Sequence, residues 1–315
     1  MSHAFVFPGQ GSQSIGMLAE LGAAESVVRE TFQQASDALG HDLWKLTQQG
    51  PESELNATER TQPALLAAGV AVWRTFCAHS AFRPAFMAGH SLGEYTALVC
   101  AGALDFADAI RLVEFRGQAM QRAVPAGTGA MAAILGLDDA DVLAGCADAA
   151  QGQVVSAVNF NSPGQVVIAG EKAAVERAME ILKGKGAKRA LPLPVSVPSH
   201  CALMKPAAEE MAARLAGVSL SAPGIPVIHN VDVEAHGEAN TIRKALIEQL
   251  YNPVRWTETI RFLHEKGVSG VVECGPGKVL AGLNRRIEKG MNVVAVTDPA
   301  GLADAIAVTG NGEKA

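Results

Sequence analysis

The sequence predicts an α/β fold with a largely parallel sheet and a small ferredoxin-like subdomain inserted into it. Strand-like and helix-like segments alternate along most of the 315 residues, the pattern of helices laid on a parallel sheet. Between 130 and 193 the order changes to β-α-β-β-α-β, the ferredoxin-like signature. A hydrophobic content of 49% with 18% charged residues is enough for a substantial core and excludes a disordered chain. At this length one large domain with a subdomain is expected, not several independent units.

The first strand runs through Ala4-Phe5-Val6-Phe7 and ends at Pro8-Gly9-Gln10-Gly11-Ser12-Gln13. The pattern then predicts a long helix over 63–79 and a short apolar strand over 85–89 that leads into His90-Ser91-Leu92-Gly93-Glu94. A helix follows at once, and another covers 106–124. In the inserted segment, strands are expected at 130–137, 154–159, 165–169 and 187–193, with helices at 138–149 and 171–185. Asn161-Ser162-Pro163-Gly164 has turn composition. Gly127-Thr128-Gly129 marks the entry, and Pro192, Pro194 and Pro198 mark the exit, giving a subdomain of 127–198 within a main domain of 1–126 and 199–308. The main domain resumes with helices near 202–215, 241–250, 256–266 and 278–287, and strands near 227–231, 270–273 and 293–296. The polar tail 309–315 is expected to fray.

Composition removes several classes of function. Lys+Arg is 26 against Asp+Glu 32, a formal charge of -6, so a globally basic nucleic-acid binder is excluded. The five cysteines form no C-x-x-C pair and read as free thiols of a reducing, cytoplasmic compartment. No two of the eight histidines are three or four residues apart, so no helical metal site is expected. No run of 18 uninterrupted apolar residues suggests a membrane span. The N-terminus lacks the charged and apolar regions of a secretory signal.

Gly89-His90-Ser91-Leu92-Gly93 matches G-x-S-x-G between an apolar strand and a helix. That context makes a sharp turn which projects the serine hydroxyl and aims helix N-terminal amides at the same point. The competing reading is an ordinary N-cap serine. His90 is a poor base for Ser91, because neighbouring side chains diverge at such a turn; packing or hydrogen bonding suits it better. Glu94, in the first helical turn, suits the helix dipole. The base must come from elsewhere, and His200 in Val197-Pro198-Ser199-His200, after a proline-rich crossover, is the candidate. Cys201 adjoins His200 and does not face it. The loop 9–14 is not a Rossmann phosphate loop, since Ser14 stands where G-x-G-x-x-G needs glycine. On the helix 106–124, Leu112, Val113, Arg116, Ala119 and Met120 share one face. Arg116 is the single charge on this apolar stripe, and needs an anionic partner: a structural carboxylate or a substrate.

Phe7-Pro8-Gly9-Gln10-Gly11-Ser12-Gln13, Thr61-Gln62-Pro63-Ala64, Gly89-His90-Ser91-Leu92-Gly93-Glu94-Tyr95, Arg116-Gly117, Pro198-Ser199-His200 and Asn252-Pro253-Val254-Arg255-Trp256 occur in this order. Together they resemble the malonyl-CoA:acyl carrier protein transacylases of bacterial fatty-acid synthesis, over nearly the whole chain. The resemblance implies an α/β-hydrolase-like core with an inserted ferredoxin-like subdomain. It implies Ser91 as nucleophile, His200 as base, and Gln249 as the residue whose backbone carbonyl orients that histidine. It implies an oxyanion hole from the amides of Gln10 and Leu92, and substrate binding by Arg116 and Gln62, with Arg116 holding the malonyl carboxylate. Malonyl-CoA and acyl carrier protein would be the partners, with no cofactor. Given where the motifs fall, a free-standing enzyme is expected. Carrier proteins are acidic, so docking on this net-negative chain needs a local basic patch. Lys188-Arg189 and Arg285-Arg286 with Lys289 are the candidates, each equally readable as a solvated face. Competing functions are a serine thioesterase or esterase, which has no use for Arg116, a trans-acting acyltransferase of a polyketide assembly line, and a non-enzymatic carrier-binding protein.

Overall fold

The computed structural model describes residues 2–125, 127–195 and 197–310. The chain opens with β1 (Ser2–Phe7) and five helices, α1 (Ala19–Ala24), α2 (Ser26–Leu39), α3 (Leu43–Gln49), α4 (Glu52–Leu55) and α5 (Thr58–His79). Then come β2 (Phe86–Gly89), α6 (Gly93–Cys100) and α7 (Phe106–Ala123). The middle segment holds β3 (Gly129–Leu135), α8 (Asp139–Ala150), β4 (Val155–Ser162), β5 (Gln165–Glu171), α9 (Lys172–Gly184) and β6 (Arg189–Pro192). The chain then forms a 3₁₀ turn (Ala202–Met204), α10 (Lys205–Ala216), β7 (Val227–Ile228), α11 (Ala239–Glu248) and α12 (Trp256–Glu265). It finishes with β8 (Val268–Cys274), α13 (Val279–Ile287), β9 (Asn292–Val296) and α14 (Pro299–Gly310).

The result is a mixed α/β fold with two separate sheets. One is five-stranded in the order β7-β2-β1-β8-β9, and its pairings are parallel. Its central β1 is apolar without alternation, as a strand covered on both faces must be; Ala4, Phe5, Val6 and Phe7 are fully buried. Phe5 packs edge-on against Trp73 and Phe76 of α5. The other sheet is antiparallel in the order β4-β5-β3-β6. Helix α9 covers it with Ala174, Val175, Ala178, Met179 and Leu182, spaced by three and four along one face. β4 is tied to the loop before α12, where Val254 N–H donates to Val158 O at 2.8 Å and Phe160 N–H to Val254 O at 3.0 Å.

Several elements depart from the sequence expectation. α5 begins at Thr58, not at 63, and Pro63 lies inside it. Proline has no N–H for the carbonyl of Glu59, yet the long helix continues past it. α7 lies against its first turn: a Cβ on Gly117 would be 2.5 Å from Glu59 Cα and 2.8 Å from Thr58 O. The helices α1 to α4 and α14 were not among the expected elements. The strand expected over 227–231 is two residues long, because the chain turns sharply after it, His229 N–H donating to Glu234 O at 3.0 Å. The polar tail does not begin at 309: Thr309 is buried and donates to Ala305 O within α14. Residues 311–315 lie outside the described residues. Among the described residues no helix is long and apolar enough to cross a membrane.

Candidate active site

The register of β1 with β2 places Phe7 opposite Gly89, so the loop after β1 and the turn after β2 leave the sheet side by side. Carboxyl ends of parallel strands are where α/β folds gather ligands. His90 N–H donates to Phe7 O at 3.0 Å. The glycines of the motif are needed here on steric grounds. A Cβ on Gly89 would lie 1.8 Å from Gly93 C, one on Gly93 would lie 2.0 Å from Phe7 O, and one on Gly9 would lie 2.6 Å from His90 O. Ser91 takes φ 52, a left-handed conformation uncommon outside glycine. The turn is pinned from outside. Asn230 Oδ1 accepts from Ser91 N–H at 2.8 Å, and Asn230 Nδ2 donates to Gly89 O at 2.7 Å.

His200 arrives from the exit of the antiparallel segment, also at positive φ (64). Its Nδ1 is 2.7 Å from Gln249 O, and its Nε2 is 2.8 Å from Ser91 Oγ. A carbonyl oxygen can only accept, so Nδ1 carries the proton and the Nε2 lone pair faces the serine hydroxyl. Burial, then the nearby charge of Arg116, pushes this imidazole down to about 3. It is therefore neutral at ordinary pH and able to take a proton. Among the described residues no carboxylate orients it; the third member of the array is the Gln249 carbonyl.

Arg116 is buried at 1% exposure beneath the serine, on the apolar stripe of α7, whose other members are buried too. Among the described residues it has no ion-pair partner. Nη1 donates to Gln62 Oε1 at 2.8 Å, and Nη2 to Gln249 Oε1 at 2.9 Å and, weakly, to Ser91 Oγ at 3.4 Å. Nε has no partner. Burial lowers its pKa, opposed by Tyr95 and Glu94. The alternative of a structural salt bridge thus finds no carboxylate among the described residues, and Gln62, fully buried, holds the guanidinium and does not reach the cavity.

A cavity of ≈ 90 Å³ opens over Ser91 and His200. Gln10, Thr58 and His90 line it from the parallel-sheet side, and Met131, Asn159, Leu193 and Val195 from the antiparallel side. Gln10 is exposed and Leu92 is buried. Among the described residues, the amides of both are left free of protein acceptors. His90 points away from Ser91; its Nε2 donates to Asn161 Oδ1 at 2.8 Å, and its ring lies 5.6 Å from that of Trp256. The basic residues separate into two kinds. Lys188 and Arg286 line one groove of ≈ 490 Å³ with Gly136, Pro163 and Gly164. Arg189 is exposed on β6, while Arg285 turns to donate to Val293 O at 2.8 Å. The sequence did not single out Asn230 or His229, and it suggested only a dipole role for Glu94. Glu94 proves to be fully buried and bonded to both. The five thiols are free, and burial pushes those of Cys77 and Cys201 up to about 11 and that of Cys146 up to about 12.

A serine with a neutral histidine behind it and two vacant amides beside it is the equipment of an acyl-transfer enzyme working through an acyl-serine. The comparisons agree. The acyl transferase domain family matches residues 4–300. The malonyl CoA-acyl carrier protein transacylase of Salmonella typhimurium is 62% identical over 303 residues, 96% of this chain and 98% of that protein. An acyl carrier protein S-malonyltransferase from Vibrio cholerae superposes with a TM-score of 0.95 at 62% identity, covering 97% of this chain and 100% of the other. A malonyl-transacylase solved with a type II polyketide synthase acyl-carrier protein gives 0.97 at 60% identity, over 98% and 100%. The chain belongs to the acyl transferase domain family and, within it, to the malonyl CoA-acyl carrier protein transacylases.

Proposed function

We propose that the chain transfers the malonyl group from malonyl-CoA to the phosphopantetheine thiol of acyl carrier protein through malonyl-Ser91, supplying chain-extender units. The observation that carries this is the buried Arg116, held by two amide oxygens and no carboxylate, within 3.4 Å of the nucleophile. A simple esterase needs no such cation. A planar fork beside the acylated serine suits an acyl group that ends in its own carboxylate.

His200 Nε2 takes the Ser91 proton as Oγ attacks the thioester carbonyl. The tetrahedral oxyanion rests on the Gln10 and Leu92 amides, each such donor contributing about 10²–10³-fold. The intermediate collapses, the C–S bond breaks, and the proton on His200 passes to the CoA sulfur. The carrier thiol then attacks malonyl-Ser91, giving its proton to His200, which returns it to Ser91 as the ester bond breaks. The Gln249 carbonyl keeps the imidazole in the required tautomer throughout. The chemistry calls for no metal or cofactor. The apolar wall of Met131, Leu193 and Val195 suits the pantetheine arm.

The groove lined by Lys188 and Arg286 is the docking place for the acidic carrier protein, with Arg189 at its margin. Arg285 contributes less, being tied to Val293 O. Met131 lines the cavity and Leu135 the groove; they are four positions apart on β3, about 13 Å at strand rise, a span an extended arm can cross. The parallel portion, 1–126 and 199–308, is read as an α/β-hydrolase-like core. The segment 127–198 is read as ferredoxin-like, supported by its two βαβ units, each split by a strand of the other. A cytoplasmic location fits the free thiols. The test is intact-protein mass spectrometry after brief exposure to malonyl-CoA. The parent gains one malonyl adduct on the peptide holding Ser91, and Ser91→Ala gains none. An adduct that persists in Ser91→Ala overturns the assignment.

A further inference from the structure

Arg116 is a buried cation with no carboxylate against it, yet a charge compensates it one amide away. The Gln249 side chain accepts from Arg116 Nη2 through Oε1 at 2.9 Å and donates through Nε2 to Glu94 Oε2 at 2.9 Å. Nε2 also lies 2.9 Å from Ser91 O. Glu94 is fully buried. Its Oε2 also accepts from Asn230 N–H at 3.0 Å, and its Oε1 accepts from His229 Nδ1 at 2.7 Å. A buried carboxylate with this many donors is held in one place. Two of these donors, those of His229 and Asn230, come from a tight loop in which Val233 sits at φ 63, a genuine outlier for a β-branched residue. The fold therefore maintains backbone strain in the loop that supplies His229 and Asn230.

We propose that Glu94 is a positioning residue for acyl-group selection: through the Gln249 amide it fixes and electrically balances Arg116 without pairing with it. The inference rests on Arg116 receiving the substrate carboxylate. A carboxylate directly on Arg116 would occupy the fork. No carboxylate at all would leave an uncompensated buried cation, free to shift toward other acceptors. The interposed amide avoids both, leaving Nε without a protein partner and Nη2 within 3.4 Å of Ser91 Oγ, the atom that carries the acyl group. His229 and Asn230 hold Glu94, and Asn230 also clamps the turn bearing Ser91, so nucleophile and selector share one support.

Acyl-enzyme formation is measured by quenched mass spectrometry with malonyl-CoA and acetyl-CoA for the parent, Glu94→Ala, Glu94→Gln, Gln249→Met and Arg116→Ala. Glu94→Ala is expected to lower the malonyl-to-acetyl preference by about tenfold or more, chiefly through a raised KM for malonyl-CoA. Glu94→Gln keeps an acceptor for the Gln249 amide but removes the charge, and is expected to recover only part of the preference. Gln249→Met removes the relay while keeping the backbone carbonyl that orients His200. It should reproduce the loss, and it keeps the question answerable if Glu94→Ala does not fold. Equal losses for both acyl groups in Glu94→Ala and Gln249→Met, with Arg116→Ala losing malonyl far more than acetyl, overturn this inference alone. If Arg116→Ala itself loses both acyl groups equally, the reading of Arg116 fails, and this inference with it.

Discussion

Gly93→Ala puts the construction of the site to its hardest test. The added Cβ would lie 2.0 Å from Phe7 O, 2.7 Å from Phe7 C and 3.1 Å from Pro8 O. These are backbone atoms with no rotamer to change. An ordinary contact begins at 3.4 Å, so α6 and the end of β1 must part by about 1.4 Å. Overpacking of this kind costs about 1–3 kcal/mol, a fall in Tm of several degrees at roughly 2–4 °C per kcal/mol. The same contact sets the distance between the Gln10 loop and Ser91, and a displacement of about 1 Å at reacting groups costs about 10²-fold in rate. Differential scanning fluorimetry and rapid-quench measurement of the malonyl-enzyme would read both losses. Gly282→Ala is the control, since its Cβ meets nothing within 4 Å. If Gly93→Ala kept both its Tm and its acylation rate close to those of Gly282→Ala, the steric account of the turn would be wrong.

His200, lowered to about 3 from 6.5, contributes stability that is fully present above pH 6.5 and is lost as the pH falls toward 3. Acylation should hold its rate down through pH 6.5. Arg116→Ala, which removes one cause of the depression, should move the acid limb upward; a limb at 6.5 that stays put in both proteins contradicts this. Reversing charge at Lys188 or Arg286 should raise KM for carrier protein and leave that for malonyl-CoA unchanged. Parallel changes in both constants would remove the groove from docking. Asn230→Ala strips two hydrogen bonds from the turn and should lower stability by about 1–3 kcal/mol, read as a drop in the urea midpoint at constant slope.

The legible parts of this molecule were those encoded locally. A strand running into G-x-S-x-G announces its own turn, since two glycines and a serine at fixed spacing are needed wherever that geometry is built. The alternation between 130 and 193 gave the succession of strands and helices in the antiparallel segment because each element there is short and bounded by turn residues. Arg116 stood out as a lone charge on an apolar stripe. The pairing of Ser91 with His200 is nonlocal, 109 residues apart; the sequence offered His200 as a candidate base, and the family resemblance paired it with Ser91. Asn230 and His229 carried no local pattern, and Glu94 showed only the helix-dipole placement of a first-turn carboxylate. Their significance comes from meeting one another over separations of 135 and 136 residues. Pro63 misled in the opposite way, its usual place at helix starts hiding a beginning five residues earlier.

Thioesters exchange with thiolates unaided, so any ionised cysteine near bound substrate would compete with Ser91 and trap the acyl group on itself. Cys201 follows the base directly in sequence, yet burial holds it up to about 11, leaving about one molecule in ten thousand ionised at neutral pH. Cys100 and Cys274 are raised well above their ordinary value. A protein that handles activated sulfur esters has thus kept its own sulfur chemically silent, and the cargo leaves on the carrier's thiol alone.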